Sequence, residues 1–298
     1  MKIRTLTGAA ACDLVRGRAS SARSQLTIAL TVARKNGERV HEGHVLLSLA
    51  LTAHRQGDLK DAEGFYEQAL AITRDTGDVR TETAALVGVG TYYDDLGRPD
   101  DAEAAYLAAI GPAKACGERT HEAGALANLA LLYQVQGRWD ESRRYARAAM
   151  KLFLGTGHKL GLAITHGNLG DLDYEMGARE DARRALEAVI PTLDECDPMA
   201  AGAFRSTLAL ICAEEGDFDG AYAYLDTAEA QLSESHGPDY GKVRCRRGIV
   251  DLCRGDLTGA RRYLAEATAI FTAVGATPHS ELGRAVADLR AQLAAAVR

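Results

Sequence analysis

Glycine recurs along this 298-residue chain at Gly17, Gly57, Gly97, Gly137, Gly177, Gly216 and Gly255, at intervals of 40, 40, 40, 40, 39 and 39 residues. So regular a period constrains the fold more than any composition can. Each period is one structural unit, and such units stack because one alone cannot bury its apolar face. A second series, Gly37, Gly77, Gly117 and Gly157, falls midway and is continued by Asp197, Gly237 and Gly275. Two turn signals per period leave two segments of about 15 residues, a length that suits a helix ended by a left-handed glycine. Each unit therefore reads as a helical hairpin.

The residues between the glycines carry the same period. Five positions after each first-series glycine stands Ala22, Ala62, Ala102, Ser142, Ala182, Ala221 or Ala260; nine after it, Leu26, Tyr66, Tyr106, Ala146, Leu186, Leu225 or Leu264. Twelve after it come Ala29, Ala69, Ala109, Ala149, Val189, Ala228 and Ala267. These offsets share one helical face. Before the glycine, Leu49-Ala50, Val89-Gly90, Leu129-Ala130, Leu169-Gly170 and Leu208-Ala209 place a large and then a small residue in phase, so paired helices approach closely while the large side chains fill the space between hairpins.

With these residues in place the chain resembles a tetratricopeptide (TPR) array of the 40-residue kind, similar to LGN-type adaptors, kinesin light chains and the sensory halves of bacterial regulators. The clearest unit runs from Ala127-Asn128-Leu129-Ala130-Leu131-Leu132-Tyr133 through Gly137-Arg138-Trp139-Asp140-Glu141-Ser142 to Tyr145-Ala146 and Ala149-Met150. The resemblance implies an all-α fold, an α-solenoid with a right-handed superhelix. The expected units are 3–38, 39–78, 79–118, 119–158, 159–197, 198–237 and 238–275, with a capping helix at 278–297 carrying Leu282, Val286, Leu289 and Leu293. A single domain over 1–298 is expected.

Several positions depart from the pattern. The aromatic four before the glycine is present at Tyr93 and Tyr133, but Ala53, Asp173, Cys212 and Asp251 hold that register elsewhere. Arg247 replaces a large apolar residue, which predicts looser packing in the last unit. Pro112 and Pro191 fall late in second helices and predict kinks or early stops. Arg143, Arg144, Arg147, Arg183 and Arg184 are expected on a solvated outer surface beside Asp140, Glu141, Glu180 and Asp181.

Composition supports helices and narrows the function. More than fifty residues are Ala, and aromatics make up 6%. The net charge of −6 hides a segregation: residues 1–40 carry +6, 41–238 carry −16 and 239–262 carry +4. An acidic body disfavours a nucleic-acid groove, and the basic cluster Lys242, Arg244, Arg246, Arg247 has few aromatics beside it for base stacking. No apolar run is long enough to span a membrane. The six cysteines form no C-x-x-C pair, and Arg4 interrupts the short apolar N-terminus, so a reducing cytoplasm is the expected compartment. Nucleotide-binding, metalloprotease and hydrolase motifs are absent, and His41-Glu42-Gly43-His44 reads as turn chemistry, since His121-Glu122 repeats its start in phase. No cofactor, metal or catalytic residue is expected, and the chain is not expected to be an enzyme.

By the register of the family it resembles, inward-facing positions lie about ten, nine, six, three and two before each glycine. The candidate partner-binding residues there are His54, Thr91, Asp94, Asp95, Asn128, Leu131, Gln134, Asn168, Asp171, Tyr174 and Glu175. Asn128 and Asn168 occupy one phase, and related arrays use such amides to hold the backbone of an extended peptide, because an amide both donates and accepts. The alternative is that each bonds a neighbouring helix. The implied function is a non-enzymatic protein- or peptide-binding scaffold or adaptor, whose acids would choose a basic segment. A sensory part of a bacterial transcriptional regulator, or a small-molecule binder or enzyme using the superhelix interior, are alternatives, and self-association is compatible with all three.

Overall fold

A computed structural model describes residues 2–15, 18–232 and 237–296. Gly17, the first of the glycine series, and the side chain of Arg55 lie outside the described residues. The described residues are all-α, with fifteen helices arranged as hairpins: α1 (Lys2–Val15) with α2 (Ala19–Asn36), α3 (Arg39–Arg55) with α4 (Leu59–Thr76), α5 (Val79–Asp95) with α6 (Pro99–Ala115), and α7 (Arg119–Val135) with α8 (Trp139–Thr156). Then come α9 (Lys159–Glu175) with α10 (Arg179–Cys196), α11 (Pro198–Glu214) with α12 (Phe218–Leu232), α13 (Pro238–Arg254) with α14 (Leu257–Ala273), and α15 (Glu281–Ala296). The fold is a TPR-type helical solenoid.

The glycine period works through backbone handedness. Gly57, Gly97, Gly137, Gly177, Gly216 and Gly255, and midway Gly37, Gly77, Gly117, Gly157 and Gly275, all have positive φ. At the α3–α4 turn, Gly57 and Asp58 donate their amides to His54 and Ala53 at 3.0 Å each, closing the helix end as a left-handed cap does. Two junctions differ. Asp197 has φ −153° and caps α11 by accepting the Ala200 amide at 3.1 Å, with Pro198 opening the helix, while Gly237 has φ −86° ahead of Pro238. Asp197 closes α10 with its amide on the Leu193 carbonyl at 2.7 Å and opens α11 with its side chain, while Gly237 opens α13.

The chain divides into two compact units, Met1–Asp94 with Arg98–Leu129, and Asp95–Gly97 with Ala130–Arg298. In the first, Leu26, Leu30, Val45, Leu46, Leu49 and Ile72 form the core of α1–α4, and Leu86, Ala109 and Ala125 form a second cluster. A Cβ on Gly88 would fall 2.7 Å from the Tyr66 ring, and one on Gly90 2.4 Å from Tyr106, so α5 admits only glycine where those rings lie across it. In the second unit the first helices contact one another in turn, α9 with α11, α11 with α13 and α13 with α15, each also pairing with its own second helix. Leu186, Leu193 and Leu208 fill one layer, Leu225, Leu232 and Val243 the next, and Leu282 and Leu289 close the last. The small residue five after each glycine is 0–2% exposed in every unit from Ala22 to Ala260, as close helix approach requires.

Three sequence expectations are corrected. First, of the kink or early stop expected at Pro112 and Pro191, the early stop does not occur: α6 runs to Ala115 and α10 to Cys196. The carbonyls left without a donor belong to Ala108 and Glu187, both exposed, where water can take the bond. Second, Arg247 does not loosen the last unit. Its side chain is 14% exposed, pairs with Asp226 at 2.7 Å and Glu229 at 2.9 Å, and lies over the rings of Tyr222 and Tyr263.

Third, Arg143 and Arg183 pair with the next hairpin and not with the acids expected beside them on their own helices, whereas Arg184 does pair with Asp181, and the missing aromatics explain why. Arg143 of α8 bonds Asp173 of α9; Arg183 of α10 reaches Cys212 Sγ of α11 at 3.8 Å and Glu215 at 2.6 Å; the Tyr222 hydroxyl of α12 donates to Asp251 of α13 at 2.6 Å. In each case a residue six after one glycine meets the residue four before the next. A polar bridge between consecutive hairpins thus stands where Tyr93 and Tyr133 supply a ring. Among the described residues no helix is long and apolar enough to cross a membrane.

Candidate functional site

The first helices of the second unit carry a continuous polar face. On α9, Asn168, Asp171, Tyr174 and Glu175 project from one side because their spacing of three, three and one keeps them within a turn of alignment. The face continues through Thr207 and Glu214 on α11 to Lys242 and Arg246 on α13 and Glu281 and Arg284 on α15. Arg246 occupies the phase of Asn168 and Thr207, nine before its glycine.

Most of these groups hold one another. Thr207 donates to Asp171 at 2.7 Å, and Arg246 donates to Thr207, to Ser206 Oγ at 2.7 Å and to the Ala203 carbonyl at 3.1 Å. Lys242 bridges Asp239 at 2.8 Å and Glu281. Tyr174 donates to Glu214 at 2.7 Å, while Arg179 from α10 pairs with Glu214 and stacks its guanidinium 4.2 Å over the Tyr174 ring. The face also curves onto itself: Asp171 feels the charge of Glu281, and Glu175 that of Arg284, although α11 and α13 lie between α9 and α15.

Two carboxylates are left under-compensated. Burial pushes the Asp171 carboxyl above the usual range, against the pull of Arg246 and the Thr207 hydroxyl. Burial also raises Glu175, and the Asp171 charge adds to it, with only the Gln134 amide as a hydrogen-bonded counterweight. Burial and the Glu214 carboxylate raise the Tyr174 phenol well above its ordinary value, so it stays a donor. The Asn168 amide is half-buried and bonds no protein group among the described residues, so both its donor and its acceptor are available.

The remaining sequence candidates fall as follows. Leu131 and Gln134, from the end of α7, join the second unit's face, half-buried. In the first unit His54 stands edge-on to Tyr92 at 5.5 Å and to Tyr66 at 6.4 Å. Thr91 lies 3.2 Å from the Tyr106 hydroxyl, and Asn128 is half-buried with no hydrogen-bond partner among the described residues. Asp94 and Asp95 are half-buried at the end of α5 and are engaged there. The histidines of His41-Glu42-Gly43-His44 turn to separate carboxylates, His41 to Glu38 at 3.2 Å and His44 to Asp78 at 2.9 Å.

The sequence reading missed Arg179, Lys242 and Glu281 as parts of this face. Arg179 sits on a second helix, outside the inward register, and reaches the face only through its length. Lys242 and Glu281 are 39 residues apart, one period, which is the signal that could have paired them.

Residues 43–297 match the MalT-like TPR region family, and residues 2–75 match the tetratricopeptide repeat. No curated protein sequence matches the chain. Among solved structures, the chain is similar to aspartyl phosphate phosphatase F from Bacillus subtilis, at 13% identity and TM-score 0.73, over 95% of this chain and 71% of that one. It is similar to the apo form of RapI at 13% identity and TM-score 0.66, over 99% and 100% of the two chains. A third is the Rap conjugation gene regulator of the plasmid pLS20 in complex with the Phr* peptide, at 13% identity and TM-score 0.63, over 86% of this chain and 76% of that one. These likenesses show a shared fold. With the family match spanning most of its length, this chain belongs to the MalT-like TPR region family.

Proposed function

We propose that this chain is a non-catalytic binding module that takes an extended peptide or protein segment bearing a positive charge on the first-helix face of its second unit. The observation that carries the reading is the Asn168 amide, which no protein group satisfies among the described residues, set one turn from Asp171 and two from Glu175, an exposed carboxyl at the end of α9. The amide can hold a peptide backbone without reading its side chain, and a guest ammonium or guanidinium would add to the pull that Arg246 already exerts on Asp171 and Glu175. Complementary charge of this kind sets specificity and encounter rate more than depth of affinity. The pLS20 regulator bound to the Phr* peptide is a precedent for the fold. Six free thiols support action in a reducing, cytoplasmic setting, and we read the seven hairpins and α15 as one array over residues 1–298.

The test is a peptide selected from a random library on the full chain, labelled and titrated by fluorescence anisotropy. Asn168→Ala and Glu175→Gln should each raise its Kd by about tenfold or more, on the scale of one lost hydrogen bond to a charged or backbone group. Melting temperature should move little, because neither side chain is a packing residue. Unchanged affinity in both variants would remove this face as the binding surface.

A further inference from the structure

The other side of α9 holds a second concavity, distinct from the polar face. A cleft of about 420 Å³ lies between α8 and α10 with α9 as its floor. Arg143 and Arg147 enter it from α8, His166 from α9 and Arg184 from α10; its acids are Asp173 and Asp181. Those acids are committed, Asp173 to Arg143 and Asp181 to Arg184. Arg147 and His166 have no ion-pair or hydrogen-bond partner among the described residues. The cleft therefore carries a net positive charge, with Arg143 answered by Asp173 and Arg147, one turn on, left as its uncompensated guanidinium.

We propose that this cleft is a binding site for a phosphate dianion, carried as a phosphomonoester or as free phosphate. The Arg147 guanidinium supplies forked donors that match phosphate oxygens, His166 a ring N–H and Arg184 the N–H groups that Asp181 leaves unused. Leu169 and Ala185 line the same cleft and give an ester carbon an apolar wall. The site shares α9 with the peptide face but none of its side chains, so it stands apart from the proposed function.

The experiment is calorimetric titration of the full chain, at low ionic strength, with inorganic phosphate and with glycerol 3-phosphate. Wild type should bind one equivalent; Arg147→Gln should raise Kd by about tenfold or more, the scale of a lost charge-assisted hydrogen bond, while Arg290→Gln on α15 should not. Arg147 is exposed, so the variant keeps its fold, which circular dichroism checks. Tighter binding of glycerol 3-phosphate assigns a phosphomonoester, and equal binding assigns free phosphate. No saturable binding of either probe, or an Arg147→Gln Kd equal to that of Arg290→Gln, overturns the proposal.

Discussion

Asp171 shows how one carboxylate can serve binding at a cost to folding. Because burial raises its pKa, the folded chain holds the Asp171 proton more tightly than the unfolded chain does. This group's contribution to stability therefore declines as pH rises from the unfolded value, about 3.9, through the raised folded value, and the cost persists at neutral pH. Asp171→Asn keeps an acceptor for Thr207 and removes the buried charge. It should raise the melting temperature at pH 7 by about 2 °C or more, a scale set by roughly 2–4 °C per kcal/mol for a domain of this size, with the gain vanishing near pH 4. Calorimetry across that range checks it; a variant less stable than wild type at pH 7 contradicts the account. Affinity for a cationic peptide should run the other way, weakening on acidification as Asp171 and Glu175 take up protons.

At the scale of elements, the hairpins are held by two kinds of lateral contact, and only one was legible in the sequence. The apolar layers followed from the period: the offsets that share a helical face name Ala22, Leu26, Ala62, Tyr66, Leu186 and Leu225, all buried. The polar bridges did not, because Arg143 and Arg183 read singly as surface residues, Tyr222 carried no signal of its own, and their partners Asp173, Cys212 and Asp251 read singly as failures of an aromatic position. Only the pairing across 29 or 30 residues explains both. Asp251 is 4% exposed and accepts the Tyr222 hydroxyl. Tyr222→Phe should destabilise the chain by about 1–3 kcal/mol, the cost of leaving a buried acceptor short of a donor, as measured by urea unfolding. The same substitution at half-buried Tyr145, whose hydroxyl makes no hydrogen bond among the described residues and whose ring sits against Tyr133, is the comparison for a ring without a buried carboxylate to serve.

For the molecule as a whole, a 40-residue period specifies which helix turns where, and it says which face of each first helix is shared. It does not specify charge balance on that face, since this arises between helices one or more periods apart: Lys242 with Glu281, Arg246 with Thr207 and Asp171, Arg179 with Glu214. Hence Asn168, Asp171, Tyr174, Glu175 and, nine before its glycine, Arg246 could be named from sequence, while Arg179 and Lys242, and the separate cleft behind α9, required coordinates. The central claim is that the first helices carry the working surface. Hydrogen–deuterium exchange of the full chain with and without a saturating selected peptide tests it most directly: the account predicts slowed exchange concentrated in α9, α11 and α13, and slowing confined to α8, α10 and α12 would contradict it.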